Sequence, residues 1–340
     1  MLIGLSAFTS LQSKDVSNDN QSLLRTNFTV NEFGMYEHRV EHLVFAGNGM
    51  SAMACVEELI ESGQVFDITI FGDEPHGNYD RTLLSSVLAG ERAIDSIVLN
   101  DIAWYQEHGI RTRLGIQVEE IDWLNRAVRS SDGDWTGYDK LILATGASPE
   151  IPRIGGLDKA SVFVFGTLDD TRRLAEAALP GVRAVVIGGW LAAEAARALR
   201  RRGCDVVTVE PEGSSEWQLD TVLGNRRVEA VRFTAGQVIG ADLVVIATNL
   251  QPNISLARGA GLAVHRGILV NDRLETSDPH IFAVGACTEH NGQTFECVPP
   301  LLEQAKVLAA NLSGTRPRGF RSLDTVFQEL TASPLHQRAE

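Results

Sequence analysis

The sequence predicts an α/β protein built from two units of parallel sheet, and three features of the chain lead to this prediction. An apolar strand ending at Ala46 runs into a glycine-rich turn and then a helix. A second strand, turn and helix begin near Ala184. An apolar segment within residues 276–285 has the pattern of a strand that returns to the first sheet. Strands that alternate with helices favour parallel sheets.

The first turn, Gly47 to Ala52, has the G-x-G-x-x-A pattern of dinucleotide-binding units. Gly47 permits a tight turn, Gly49 lets a pyrophosphate approach the backbone, and Ala52 lets helix and strand pack closely. The free N–H groups at the positive end of the helix then hold the phosphates. A turn without a ligand is the alternative, which the order of strand, turn, helix, strand and acid disfavours.

Two acids follow the next strand, which runs from Asp67 to Phe71. Asp73 and Glu74 both stand near the spacing at which a carboxylate accepts hydrogen bonds from adenosine ribose hydroxyls. The sequence does not choose between them.

Composition excludes several classes of function. The net charge of −14 disfavours nucleic acid and anionic membrane surfaces as partners, and no apolar run is long enough to span a bilayer. The four cysteines form no C-x-x-C pair, which disfavours a zinc site, a redox dithiol or an iron–sulfur cluster. We therefore predict no metal site. Few, scattered cysteines fit a cytoplasmic protein.

The N-terminal region is polar and aperiodic by composition. We expect residues 1–34 to lie outside the fold, with Met35 as a candidate start, and residues 1–40 to form a disordered extension. The short apolar run from Leu2 to Phe8 lacks a preceding basic residue and a cleavage site, so we do not interpret it as a signal peptide.

The order of motifs resembles the FAD/NAD(P)H pyridine-nucleotide oxidoreductases, and most of all the reductase half of the large subunit of assimilatory NAD(P)H-nitrite reductase. Rubredoxin and ferredoxin reductases are the next nearest. The resemblance covers roughly residues 41–315, and its most specific part is Asn-Tyr-Asp-Arg-Thr-Leu-Leu-Ser at 78–85. Besides the first turn, the matching segments are residues 71–76, 78–85, 97–101, 104–105, 143–146, 276–287 and 300–305.

This resemblance implies that the first unit holds FAD. Gly47, Gly49 and Ser51 would then contact the pyrophosphate, and Asp73 or Glu74 the ribose. Arg81 would lie near the flavin ring, where a cation stabilises reduced, anionic flavin, and it is the candidate catalytic residue. A surface arginine paired with Asp80 or Asp73 is the alternative. The full set of candidate cofactor contacts is Gly47, Gly49, Met50, Ser51, Ala52, Asp73, Glu74, Arg81, Thr145, Gly146, Gly188, Gly189, Glu210 and Gly285.

Three departures from the family pattern concern both nucleotide sites. Trp190 stands where the second glycine-rich turn has its third glycine, although Glu210 keeps the acid that would bind NAD ribose. A helix and two strands are missing after Glu210. Ala286 replaces the acid that normally follows Gly285, which should cost on the order of 1–3 kcal/mol of FAD affinity. The Trp190 indole either obstructs the phosphate path or fills the space left by the missing helix and strands, and the sequence does not choose between these interpretations. We expect NAD(P)H binding in the second unit to be weak.

These observations predict two Rossmann-like dinucleotide-binding domains. The FAD-binding domain is discontinuous, at 41–150 and 252–315, and a shortened NAD(P)-binding-like domain spans 151–251, followed by a tail at 316–340. The predicted function is an FAD-dependent oxidoreductase that passes electrons from NAD(P)H to a separate acceptor protein containing an iron–sulfur or haem group. Without cysteine clusters for iron–sulfur and sirohaem groups, the chain alone should not reduce nitrite. The alternative is a degenerate flavin- or nucleotide-binding module without efficient NAD(P)H oxidation.

Overall fold

The computed structural model describes residues 28–30, 36–210 and 218–321. By contacts the chain divides into an N-terminal segment, Met1–Val40, and a main body, Glu41–Glu340. In the N-terminal segment, Phe28–Val30 (β1) pairs antiparallel with Tyr36–His38 (β2). The other residues of the predicted N-terminal extension before Tyr36 lie outside the described part of the chain, so that expectation stays a prediction.

The main body contains all the helices of the described residues and most of the strands, arranged in two sheet units. The helices are α1 (Met50–Glu61), α2 (Leu84–Leu88), α3 (Ile102–Glu107), α4 (Leu168–Ala177), α5 (Trp190–Arg201), α6 (Ser255–Gly259) and α7 (Val298–Ser313), with short 3-10 helices at Arg81–Leu83 and Ile94–Ile97. The strands are β3 (His42–Ala46), β4 (Asp67–Gly72), β5 (Asn78–Tyr79), β6 (Val98–Asn100), β7 (Arg111–Leu114), β8 (Val118–Asp122), β9 (Ala127–Ser130), β10 (Trp135–Gly137), β11 (Lys140–Leu143), β12 (Ala147–Pro149), β13 (Val162–Val164), β14 (Arg183–Ile187), β15 (Asp205–Val209), β16 (Leu219–Leu223), β17 (Ala230–Phe233), β18 (Val238–Gly240), β19 (Leu243–Ile246), β20 (Leu250–Pro252), β21 (Ile268–Val270), β22 (Ile281–Ala283), β23 (Thr288–His290) and β24 (Gln293–Thr294).

The first parallel sheet has five strands in the order β22-β11-β3-β4-β7. Its central strand β3 is apolar on both faces, as expected for a parallel strand covered on both sides. Leu43 and Phe45 pack against α1 and α7 on one face. Val44 and Ala46 face the antiparallel layer β8-β9-β10 on the other. Because β22 comes from residues 281–283, this unit is discontinuous, as predicted.

The second parallel sheet has the order β13-β19-β14-β15. One face packs on α4 and α5, and the other on the antiparallel strands β16-β17-β18. Leu84 and Leu88 of α2, which belong to the first unit by sequence, lie in the same hydrophobic cluster as Leu174, Leu199 and Val245. The two sheet units therefore share a core through α2.

Two antiparallel strands, β12 and β20, connect the two sheets. At their end the Thr145 hydroxyl donates to the Asn253 carbonyl at 2.7 Å, and the Asn253 side-chain amide donates to the Thr145 carbonyl at 2.8 Å. The chain therefore leaves and re-enters the first unit at adjacent points.

The predicted α/β fold class is confirmed. The protein has two parallel sheets, and in each of them a glycine-rich turn connects a strand to the following helix, β3 to α1 and β14 to α5. The second unit is also short as predicted, because only residues 211–217 separate Glu210 from the strand region that begins with β16. One segment departs from its sequence pattern. Residues 110–121 are strand-like throughout by sequence, but they form two strands, β7 and β8, in different sheets, because the chain turns at Gly115, where φ is +72°.

None of the helices in the described residues is long and apolar enough to cross a membrane. The same residues contain no group of three or more His, Cys, Asp or Glu side chains arranged to hold a metal ion.

Candidate functional site

The first glycine turn is fixed between three strands. Gly47 has φ of +126°, and a Cβ built on it would lie 2.1 Å from the carbonyl oxygen of Ala144 at the end of β11. Its N–H donates to the carbonyl of Phe71 in β4 at 2.9 Å. Any residue with a side chain would push these strand ends apart, so the glycine is required by the fold itself.

The second glycine of the turn has a different environment. Gly49 has an ordinary φ of −82° and is the N-cap of α1, with no side-chain cap. A Cβ built on it would meet no protein atom within 4 Å. The first turn of this twelve-residue helix, which begins at Met50, also carries no acidic residue. The helix end is therefore open and electropositive, which suits a phosphate group.

The return segment closes over the same helix end. Gly285, at φ +92°, comes so near to α1 that a Cβ on it would lie 2.8 Å from the hydroxyl oxygen of Ser51. The N–H of Gly285 donates to the side chain of Gln304 in α7 at 2.7 Å. Thr145 and Gly146 follow β11, next to β3 in the same sheet. The structure thus brings the predicted contacts of the first unit to one sheet edge.

The two acids after β4 have different surroundings. Glu74 is mostly buried, with its side chain 14% exposed. Its carboxylate accepts hydrogen bonds from the Tyr79 hydroxyl at 2.9 Å and from Arg81 at 2.5 Å, and it lies 3.4 Å from the backbone N–H of Leu168. Asp73 is exposed. The carboxylate of Asp73 is therefore better placed to accept ribose hydroxyls, whereas that of Glu74 joins the two sheet units.

Arg81 takes part in the same junction. Besides Glu74, its guanidinium donates to the carbonyl of Gly166 at 3.0 Å, 85 positions along the chain. It also lies over the Tyr79 ring, 5.3 Å from the centroid. The ion pair of Arg81 is thus with Glu74 rather than with Asp80 or Asp73. The Arg81 side chain is still 39% exposed, and its role near a flavin stays a prediction.

The second glycine turn repeats the geometry of the first. Gly188 has φ of +145°, and a Cβ on it would lie 1.9 Å from the carbonyl oxygen of Ala247, as Gly47 faces Ala144. Counting from this shared glycine, Trp190 falls at the position of Gly49, but the second turn is one residue shorter, because Gly189 is the N-cap of its helix as Gly49 is of α1. Trp190 is the first residue of α5 and is 56% exposed. This exposure argues against the interpretation of Trp190 as buried filler.

The other second-unit candidates lie at the carboxyl ends of β14 and β15. Gly189 is the N-cap of α5 and has no side-chain cap. Glu210 follows β15 directly and is exposed. Sequence reasoning gave no role to Glu194, which accepts a hydrogen bond from the Ser85 hydroxyl of α2 at 3.1 Å and pairs with Arg197 at 2.8 Å. The contact between Ser85 and Glu194 spans 109 positions, so no local pattern could have revealed it.

The cysteines form no redox pair. All four are free; Cys55, Cys204 and Cys287 are buried and Cys297 is exposed. Burial raises the pKa of the Cys287 thiol, which keeps it protonated and unreactive. Thiol–disulfide chemistry is therefore not supported by these residues.

Taken together, the two glycine turns at parallel sheet edges define a protein with two dinucleotide-binding units. A family model described as pyridine nucleotide-disulphide oxidoreductase matches residues 41–220 and 215–306. The chain belongs to this family, and the resemblance inferred from the sequence is confirmed.

Individual relatives agree with this assignment. The chain is 41% identical over 302 residues to the assimilatory nitrate reductase electron transfer subunit of Bacillus subtilis, covering 81% of this chain and 39% of that protein. It is also 41% identical over 308 residues to a Bacillus subtilis nitrite reductase [NAD(P)H], covering 82% and 38%. The chain thus spans about two fifths of the length of these relatives.

Solved structures show the same fold. A ferredoxin reductase for the CYP199A2 system from Rhodopseudomonas palustris matches with a TM-score of 0.76 and 26% identity, covering 83% of this chain and 78% of that one. A covalent putidaredoxin reductase–putidaredoxin complex matches with a TM-score of 0.73 and 28% identity, covering 83% and 76%.

The different surroundings of the two acids lead to a prediction. Asp73→Asn should weaken FAD binding about fivefold, because one ribose acceptor loses its charge, and should leave the melting temperature unchanged. Glu74→Gln should lower the melting temperature, because it removes the charge that pairs with Arg81. Flavin titration and thermal unfolding of both variants check this, and a larger loss of FAD affinity in Glu74→Gln would reverse the two assignments.

Proposed function

We propose that the chain is an FAD-dependent oxidoreductase that takes electrons from NAD(P)H and passes them to a separate acceptor protein. The observation that carries the proposal is the open N-terminus of α1, which follows Gly49 directly. In the same turn, Gly47 packs against the end of β11. The family, whose members use FAD and NAD(P)H, supports it. FAD, when bound, accepts a hydride and releases electrons singly or in pairs.

The residues of the chain divide this task between them. The N–H groups at the start of α1 and the backbone of Gly49 hold the pyrophosphate, and Asp73 holds the ribose. The exposed part of the Arg81 guanidinium provides positive charge next to the junction of the two units, and it would stabilise negative charge on a flavin bound there. Gly188, Gly189 and Glu210 form the nicotinamide nucleotide site, and Trp190 weakens it.

We further propose that the acceptor is a protein with an iron–sulfur or haem group. Relatives are named as an electron transfer subunit for nitrate reductase and as a ferredoxin–NAD(+) reductase component. The same chemistry suits this chain because its cysteines form no dithiol to take part in the transfer. The cysteine clusters for such metal groups are absent from its sequence, so the acceptor is a separate protein or domain.

A second candidate function is a flavin- or nucleotide-binding module that oxidises NAD(P)H poorly. Trp190 at the start of α5 favours it, since the side chain is exposed where the nucleotide would approach. Two measurements separate the candidates. An absorbance spectrum of the purified protein should show bound flavin, and anaerobic addition of NADH should bleach it if the chain is an oxidoreductase. Bound flavin that stays oxidised at millimolar NADH would favour the module, and no flavin binding at all would refute the oxidoreductase and leave only a module that binds another nucleotide.

A further inference from the structure

A buried polar network connects the first glycine turn to the loop that leads to Arg81. At its centre is Tyr105 of α3, which is 1% exposed. Its hydroxyl donates to the side-chain oxygen of Asn48 at 2.8 Å and accepts from the backbone N–H of Asn78 at 3.2 Å. Asn48 lies between Gly47 and Gly49, so this hydroxyl holds the middle residue of the turn.

The network continues from the loop back to α1. The side-chain amide of Asn78 donates to Asn100 at 3.1 Å, and the amide of Asn100 donates to the carboxylate of Glu57 in α1 at 2.9 Å. The backbones are also close, because a Cβ on Gly77 would lie 2.0 Å from the carbonyl oxygen of Asn100. The loop is thus held from two sides, by the turn before α1 and by α1 itself.

The loop fixed in this way carries the residues of the unit junction. Tyr79 follows Asn78 in β5 and bonds Glu74, and Arg81 follows two positions later. The turn at Asn48 and the segment of Arg81 would contact opposite ends of the same cofactor, the pyrophosphate and the ring. The hydroxyl of Tyr105 bonds to both segments and so links them directly.

We propose that Tyr105 is a positioning residue for FAD, which acts through Asn48 and Asn78 rather than by touching the cofactor. This inference depends on the proposed function. The sequence segments around Asn100 and Tyr105 belong to the motifs of the family resemblance, none of their residues is among the candidate cofactor contacts, and the network gives them a role. Burial raises the pKa of Tyr105, so the phenol keeps the proton that it donates.

The test is Tyr105→Phe, which removes the hydroxyl and keeps the ring that packs edge-on against Trp104 at 5.5 Å. We expect the FAD dissociation constant to rise about fivefold to tenfold, because the turn loses a buried hydrogen bond that fixes it. The matched control is Tyr138→Phe. Tyr138 is 6% exposed and its hydroxyl has no hydrogen-bond partner among the described residues. The FAD dissociation constant of the Tyr138→Phe variant should therefore stay within about twofold of that of the wild type.

A double-mutant cycle with Asn48→Ala separates positioning from a purely structural role. If Tyr105 acts through Asn48, the double variant should bind FAD as weakly as Asn48→Ala alone. Independent, additive losses, or a lower melting temperature with an unchanged FAD dissociation constant in Tyr105→Phe, would overturn the inference. If Tyr105→Phe does not fold, Asn48→Ala alone carries the test, and unchanged FAD binding in that variant would overturn it. A wild-type protein that binds no FAD would instead refute the proposed function.

Discussion

Gly49→Val is expected to abolish FAD binding and to leave the protein folded. The backbone at Gly49, with φ −82° and ψ 178°, is extended and open to a β-branched residue. No protein atom lies within 4 Å of the position that the new Cβ would take. The two methyl groups of valine would instead occupy the path by which the pyrophosphate reaches the helix end. The loss should exceed a hundredfold in affinity, or about 3 kcal/mol.

Two other glycine substitutions serve as controls for this experiment. Gly259→Val, at the exposed end of α6, also places its Cβ in open space, and it should keep both flavin occupancy and melting temperature. Gly47→Val should lower the melting temperature strongly, because its Cβ would collide with the backbone of Ala144. Flavin absorbance per protein and thermal unfolding distinguish the three variants. Wild-type flavin occupancy in Gly49→Val would show that the cofactor site lies elsewhere.

The first turn could be predicted from sequence because each of its residues has a local reason. Gly47 is required because the backbone φ there is positive, Gly49 because a ligand must approach the backbone, and Ala52 because α1 packs closely on β3. The order of strand, turn and helix within a short window then fixes their arrangement in space. The structure places these residues where the pattern put them.

The roles of Glu74 and Arg81 could not be predicted in the same way. Glu74 fits the spacing of a ribose acid as well as Asp73 does, and its burial and its contacts with Tyr79, Arg81 and Leu168 separate the two. Arg81 was expected near the flavin or beside a neighbouring aspartate. Its partner is Glu74 and its second contact is Gly166. The contacts with Leu168 and Gly166, which are 94 and 85 positions away, depend on how the two sheet units meet, which no local pattern contains.

The position of Trp190 was visible in the sequence, but its surroundings were not. The sequence left two interpretations equally open: an obstruction in the phosphate path, or a side chain that fills the space of the missing helix and strands. The structure places Trp190 at the start of α5, 56% exposed. A side chain with that exposure buries too little surface to replace the missing elements.

Trp190→Gly should therefore improve the use of NADH. The substitution removes the indole from the first residue of α5 and so opens the end of this helix, while Glu210 still offers its carboxylate to the ribose. We expect the NADH concentration for half-maximal flavin reduction to fall about tenfold, or about 1.4 kcal/mol. Because the indole is exposed, the loss of stability should be no more than about 1 kcal/mol, the cost of glycine in a helix.

The control is Trp123→Gly, which removes an indole of similar exposure, 50%, from the turn between β8 and β9. It should leave the NADH dependence unchanged. Anaerobic titration of the bound flavin with NADH, together with thermal unfolding, measures both effects. If Trp190→Gly lowers the melting temperature by as much as a core deletion and does not improve the titration, the indole stabilises the second unit. Half-maximal reduction of the wild-type flavin at micromolar NADH would contradict the obstruction directly, because a helix end blocked by an indole should not hold the pyrophosphate that tightly.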